Sequence, residues 1–208
     1  MSRGEKTRKR ILDVAQGAVL LKGFDATSID EIVANADITK SGFFYHFPDK
    51  NALAKALIER HIVVEDKLFD DILRRARELT DDPLQIVLIG LRLLAELIED
   101  MPNGHPGCIV ATAAYQDRLF NQDVRDANRR AVLNWRNRFR GMFEDVLVSY
   151  EFTDEVELDY LADMVSALLE GAIVMARAME EPKVTSQQVM MLRSYIKLLF
   201  RHRAPFSP

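Results

Sequence analysis

The chain has 208 residues, 48% of them hydrophobic, with one cysteine and a formal net charge of −4. That length and apolar content can build a sizeable core, and they fit one larger domain or a small domain joined to a larger one. The single cysteine, Cys108, excludes an internal disulfide and a cysteine-rich zinc site. No apolar run reaches the ~18 residues that span a bilayer. The nearest, Ile86 to Ile98, is interrupted by Arg92 and Glu96, and no apolar signal core follows the charged N-terminus. The expectation is a cytoplasmic protein with no membrane partner.

The charge is unevenly spread. Residues 1–60 carry 10 Lys/Arg against 8 Asp/Glu, a net +2, whereas the remainder carries 18 against 24, a net −6. Arg3, Lys6, Arg8, Lys9 and Arg10 face one acid, Glu5, within the first ten residues. A basic head on an acidic body points one end of the molecule at a polyanion. The cluster itself fits either a solvated face or a basic arm that reaches into a minor groove.

In chain order, Ile11, Leu12, Ala15, Ala18 and Val19 form an apolar stripe on a helix over residues 4–22, with Gly23 as its stop. Ser28 and Glu31 have capping-box spacing at the start of a short second helix that ends near Ala36 and Asp37. Thr39 caps a short third helix through Tyr45, and Pro48 marks the break before a long fourth helix. Asp81-Asp82-Pro83 precedes a fifth helix over about 84–100, and residues 101–107 are rich in turn formers. A sixth helix runs to about Asp117 and a seventh covers about 121–149. An eighth begins at Thr153-Asp154 and ends before Pro182. Thr185 and Gln188 have the capping-box spacing that opens a ninth, ending near Arg203. No pair of alternating β runs flanks a hairpin turn, so the fold class is all-α with about nine helices.

Residues 27–50 carry the chemistry. A longer helix followed by two short ones with about three residues between them describes a three-helix DNA-binding unit. Ile29, Ile32, Val33, Ile38, Phe43 and Phe47 set its interior, and the third helix then presents Lys40, Ser41, Gly42, Tyr45 and His46. These supply the donors that phosphates and base edges accept, and Gly42 permits close backbone approach. Lys50 joins a cation to a helix N-terminus, which suits phosphate. Taken alone, His46 also fits an ordinary surface or capping histidine.

The runs Ile11-Leu12-Asp13-Val14-Ala15, Gly23 to Val33 and Thr39 to Leu53 resemble the N-terminal domain of TetR-family regulators over residues 11–57. The resemblance implies a helix-turn-helix domain over 1–50 and a ligand-binding and dimerisation domain over 51–208, with helix four connecting them. It also implies a homodimer on a double-stranded operator. Phosphate contacts are implied for Thr27 or Ser28 and for Lys50, and groove or phosphate contacts for Lys40, Ser41, Gly42, Tyr45 and His46. Two positions depart from the family. Phe44 stands where the family usually has a tyrosine whose hydroxyl meets a phosphate, and Asp37 stands where it usually has glycine. Aspartate tolerates the left-handed conformation that such a turn needs.

Helices eight and nine carry more apolar residues than one stripe requires. Leu161, Met164, Val165, Leu168 and Ala172 on the eighth and Leu192, Tyr195, Ile196 and Leu199 on the ninth are the expected dimer interface, where two-fold symmetry would present paired recognition helices to a palindromic operator. As an alternative, the same residues fit the core of a monomer. The resemblance implies that helices four to eight enclose the family's effector pocket. Its candidate lining is Phe69, Leu73, Leu94, Tyr115, Trp135, Phe139, Met142 and Met175, which also fit ordinary core. The implied function is repression relieved by a small apolar or aromatic effector.

The alternative is a redox-sensing regulator. Cys108 falls near the start of helix six, where the positive helix end favours a thiolate, and His105 is close in sequence. His46, His61, His105 and His202 follow no nucleophile-base or metal-ligand spacing. No enzyme activity, cofactor or metal is expected.

Overall fold

The computed structural model describes residues 2–203, so the outermost residues of the two expected domains, 1 and 204–208, lie outside it. The elements are α1 (Arg3–Ala26), α2 (Ile29–Asn35), α3 (Lys40–His46), α4 (Lys50–Arg77), α5 (Pro83–Glu99), α6 (Ile109–Tyr115), a 3-10 turn (Asp117–Leu119), α7 (Gln122–Leu147), β1 (Tyr150–Phe152), α8 (Leu158–Ala178), α9 (Lys183–Leu199) and β2 (Phe200–His202). Among the described residues the architecture is helical, with one two-stranded ribbon. No helix among them is long and apolar enough to cross a membrane.

Short polar side chains start most of these helices. Ser28, Thr39 and Asp82 each accept the backbone N–H three residues on, at 3.1, 3.1 and 2.8 Å, and Asp49 accepts from Ala52 in the same way at 2.8 Å. Each bond satisfies one amide that the helix itself leaves without a partner. Only half of the expected box at Ser28 forms, because the Glu31 carboxylate turns outward to Lys22 at 2.6 Å. Gly23 adopts φ +84° and ψ 168° within α1, a region closed to residues with a side chain. The chain leaves the long part of the helix there.

The residues fall into two compact units. One comprises Met1–Val64 with Pro106–Val132, the other Glu65–His105 with Leu133–Pro208, so α4 and α7 each contribute to both. In the first unit α1 packs on α2 and α6. Its interior includes Ile11, Leu12, Ala15, Val19, Phe24, Ile32, Phe43 and Phe47, all essentially closed to solvent. Phe24 meets Phe120 edge to face at 5.0 Å, and the Phe24 N–H donates to the Gln116 side chain at 2.8 Å. The turn after α6 thus satisfies an amide that the break at Gly23 removes from the helical ladder.

In the second unit α5 packs chiefly on α9, and α9 on α8. Leu84, Val87, Leu88, Leu91, Leu94 and Ile98 of α5 join Phe139 and Phe143 of α7, Leu161 and Val165 of α8, and Leu192 and Ile196 of α9 in one apolar cluster. The ribbon closes this unit, with Tyr150, Glu151 and Phe152 opposite His202, Arg201 and Phe200 in antiparallel register. The Tyr150 hydroxyl donates to Asp82 at 2.6 Å, tying the ribbon to the cap of α5. Burial, reinforced by that carboxylate, pushes the Tyr150 phenol up to about 12.

Three sequence expectations are corrected. The eighth helix begins at Leu158 rather than at Thr153-Asp154, because Tyr150–Phe152 pairs as a strand and the Thr153 N–H bonds the Leu199 carbonyl at 2.8 Å. The ninth begins at Lys183, directly after Pro182, whose φ of −55° is already helical. Thr185 is buried inside it and gives its hydroxyl to the Ala172 carbonyl at 3.4 Å, so it is not the cap. The sixth helix stops at Tyr115, and residues 117–119 tighten into the 3-10 turn.

Candidate nucleic-acid interface

Residues 36–39 turn the chain between α2 and α3. Asp37 takes φ +48°, the left-handed conformation expected of it, and its carbonyl accepts from the Arg10 guanidinium at 3.2 Å. The turn is therefore held by α1 as well as by its own backbone. Arg8 lies over the Phe47 ring at 5.1 Å, and Lys9 pairs with Asp13 at 2.7 Å. Arg60 of α4 reaches back to Asp13 at 2.7 Å and to the Leu12 carbonyl at 2.9 Å, fixing α4 on α1. Burial would raise the Asp13 carboxyl, but the hydrogen bonds from Lys9 and Arg60 outweigh it and hold the group below its ordinary value.

Residues 3–10 are helical from Arg3, with Ser2 and Glu5 forming a complete capping box. They are thus part of α1, not an extended basic arm. The first turn of α1 lies beside α3, where a side chain on Gly4 would come within 3.9 Å of His46.

In α3 the buried Phe43, with Phe47 at the cap, points inward. A helix turns ~100° per residue, so the opposite face carries Ser41 and Tyr45 at its centre, with Phe44 at its edge, ~100° round from Phe43, and Lys40 one turn before Phe44 on that same side. Lys40, Ser41, Phe44 and Tyr45 are all exposed, Tyr45 to 83%, and Gly42 and His46 are half-exposed. Tyr45 meets His46 edge to face at 5.0 Å. Lys40 is not loose: its ammonium pairs with Asp30 of α2 at 2.6 Å. Asp30 is a site residue that sequence reasoning missed, although an acid in the first turn of α2 opposite a recognition-helix lysine was the available signal.

The phosphate candidates divide. Thr27 is 1% exposed and gives its hydroxyl to the Gly23 carbonyl at 2.8 Å, which leaves Ser28 as the one of the two on the surface. Lys50 opens α4 with its ammonium 3.5 Å from the Asp25 carbonyl. Burial lowers its pKa, with the Asp25 carboxylate opposing. Thus Ser28, Lys40, Ser41, Gly42, Tyr45, His46 and Lys50 are assembled in the first unit, and Thr27 is packed beneath them.

The expected pocket residues do not all assemble. Phe69 and Phe139 meet edge to face at 5.5 Å, and Trp135 and Met142 pack half-buried against the same cluster that buries Leu94. Leu73 is buried, with its side chain beside Gly90 of α5. Tyr115 belongs to the first unit and is 79% exposed, and Met175 stands on the outer side of α8. Beside the aromatic group, Glu65 accepts from the Trp135 indole at 2.7 Å. Burial pushes its carboxyl up to about 7 against that hydrogen bond, with the Asp66 and Glu170 carboxylates adding to the rise.

The expected dimer residues are mostly internal. Leu161, Val165, Ala172, Leu192, Ile196 and Leu199 are buried in the chain's own core, Met164 and Leu168 are half-buried against it, and only Tyr195 is exposed. The outward stripe consists instead of Tyr160, Val174 and Met175 on α8 and Met191, Tyr195 and Leu198 on α9.

A capped pair of short helices locked on a third, with donors along the open side of the last, defines a helix-turn-helix DNA-binding protein. Residues 11–57 match the model of bacterial regulatory proteins of the tetR family, and residues 91–191 match that of the tetracyclin repressor-like C-terminal domain. The chain belongs to the TetR family of transcriptional regulators, which are not enzymes. It is similar to the uncharacterized HTH-type transcriptional regulator YxaF of Bacillus subtilis, 22% identical over 84% of this chain and 86% of that protein. It is also similar to the transcriptional regulator AcuR of Cereibacter sphaeroides, 27% identical over 75% of this chain and 69% of that protein. The crystal structure of Escherichia coli NemR in its reduced form has the same fold, with a TM-score of 0.78 at 18% identity over 96% of this chain and all of that one.

Proposed function

We propose that this regulator is a repressor that leaves a palindromic operator when a small apolar or aromatic effector binds its second unit. The observation that carries the reading is the aromatic group in that unit: Phe69 crossed with Phe139, and Trp135 and Met142 half-buried beside them. The Phe69 and Trp135 rings and the Met142 thioether are only partly covered and offer apolar area to a ligand over the buried Phe139. The effector shifts the balance between DNA-bound and released states only by its difference in affinity for the two. Two copies pair through the outward stripe of α8 and α9, since one seven-residue recognition helix gives little affinity alone and a two-fold pair reads both half-sites.

Trp135 is the chain's only tryptophan, so emission excited selectively from tryptophan reports on this site alone. The test is to titrate apolar aromatic compounds while following Trp135 emission and the fluorescence polarisation of a labelled operator duplex. Compounds that change emission should release the duplex over the same concentration range. Emission changes with unaltered DNA affinity would refute the reading.

A second reading has its own observation. The Cys108 sulfur lies 3.8 Å from Nε2 of His61 and accepts the Ala111 N–H at 3.4 Å, which places an imidazole and an amide donor beside the thiol. Peroxide would oxidise this thiol to the sulfenic acid with release of water. Peroxide-driven release of DNA that Cys108→Ser abolishes would support redox control. Release unchanged by that substitution would exclude it.

A further inference from the structure

We propose that Phe44 reads thymine: its ring packs on the C5-methyl group of one thymine in each operator half-site, in the major groove. The inference rests on operator binding by α3 and adds the base that α3 selects.

The face of α3 opposite the core is otherwise polar. Ser41 and Tyr45, the latter 83% exposed, form its centre, yet at its edge, one turn after Lys40, Phe44 places a hydrocarbon ring at 45% exposure. The core does not need this ring, because Phe43 and Phe47, at 0% and 2%, already fill the interior side. Its orientation is fixed all the same, since it meets Phe43 edge to face at 5.5 Å with the planes at 89°. A ring without a donor gains nothing from a phosphate oxygen. Acceptors and amino donors make up most of the major-groove edges of the four base pairs, and their one projecting apolar group is the thymine methyl. An apolar ring that enters the groove among donors therefore finds its complement at thymine. Lys40, held by Asp30 at 2.6 Å, and Tyr45 flank the ring and fix its register on the duplex.

The experiment begins with selection of bound sequences from a randomised duplex pool by the full chain, followed by replacement of each operator thymine with deoxyuridine. Uracil keeps the pairing edge and lacks only the methyl group. The expected result is one invariant thymine per half-site whose replacement weakens binding about fourfold in one half-site and about fifteenfold in both, as removal of one buried methyl group each time requires. Phe44→Ala should bind thymine and uracil duplexes equally, whereas Phe44→Leu, which keeps an apolar side chain, should retain part of the discrimination. Circular dichroism of both variants separates lost reading from lost fold, and Phe44→Leu alone decides the matter where Phe44→Ala unfolds. The proposal is overturned if no uracil replacement weakens binding, or if Phe44→Ala discriminates as the wild type does. It is equally overturned if the substitution changes only the oligomeric state. Enrichment of no duplex at all would instead overturn the operator-binding reading on which it rests.

Discussion

Replacing Glu65 with glutamine should stabilise the protein at alkaline pH and do much less at acid pH. The glutamine amide oxygen can still accept the Trp135 indole N–H, now held at 2.7 Å, so the substitution removes the charge and keeps the bond. Burial, with the Asp66 and Glu170 carboxylates, raises the folded-state pKa from 4.5 to about 7. A raised acid binds its proton more tightly in the folded state, so the stability linked to it is full below about pH 4.5 and is lost as pH rises through 7. At about 1.4 kcal/mol per unit, the ionised carboxylate costs about 1 kcal/mol of stability at pH 5 and about 3 kcal/mol at pH 8. Urea denaturation of wild type and Glu65→Gln at both pH values measures this difference directly. Trp135 emission should titrate near pH 7 in the wild type alone. A stability difference that stays constant between pH 5 and pH 8 would refute the reasoning.

Further outcomes follow from single contacts. Gly23→Ala places a side chain at φ +84° and 3.0 Å from the Gln116 amide, and should cost about 1–3 kcal/mol in urea denaturation. Thr39→Ala removes the cap of α3 and should cost about 1 kcal/mol, with weaker operator affinity by fluorescence polarisation at unchanged helicity. Leu198→Asp, at a side chain 75% exposed on the outward stripe, should leave the fold intact and shift sedimentation from dimer to monomer. An unchanged sedimentation coefficient would place the partner surface elsewhere.

Much of the recognition unit could be read directly from the residues. Ser28 and Thr39 cap the two short helices, Asp37 takes the left-handed turn, and Phe43 and Phe47 fill the interior as their spacing requires. These features depend on neighbours within about four residues, where helix geometry and capping chemistry act. The fate of Thr27 was not legible in the same way. Its burial depends on the Gly23 backbone breaking from α1 so that the carbonyl can take its hydroxyl.

What only the tertiary structure decided lies at long sequence separation. The sequence marks α8 and α9 as carrying more apolar residues than one stripe needs, but periodicity cannot say which stripe faces the chain's own core. Packing of α9 on α5 and of α8 on α9 assigned Leu161, Val165, Leu192 and Ile196 inward and left Val174, Met191, Tyr195 and Leu198 outside. The β1–β2 pairing joins residues about fifty positions apart, and the Gln116 bond to Phe24 and the Trp135 bond to Glu65 span 92 and 70 positions. Residues that meet only after the helices have packed leave no local pattern, because their partner is set by the geometry of the whole unit and not by the chain on either side.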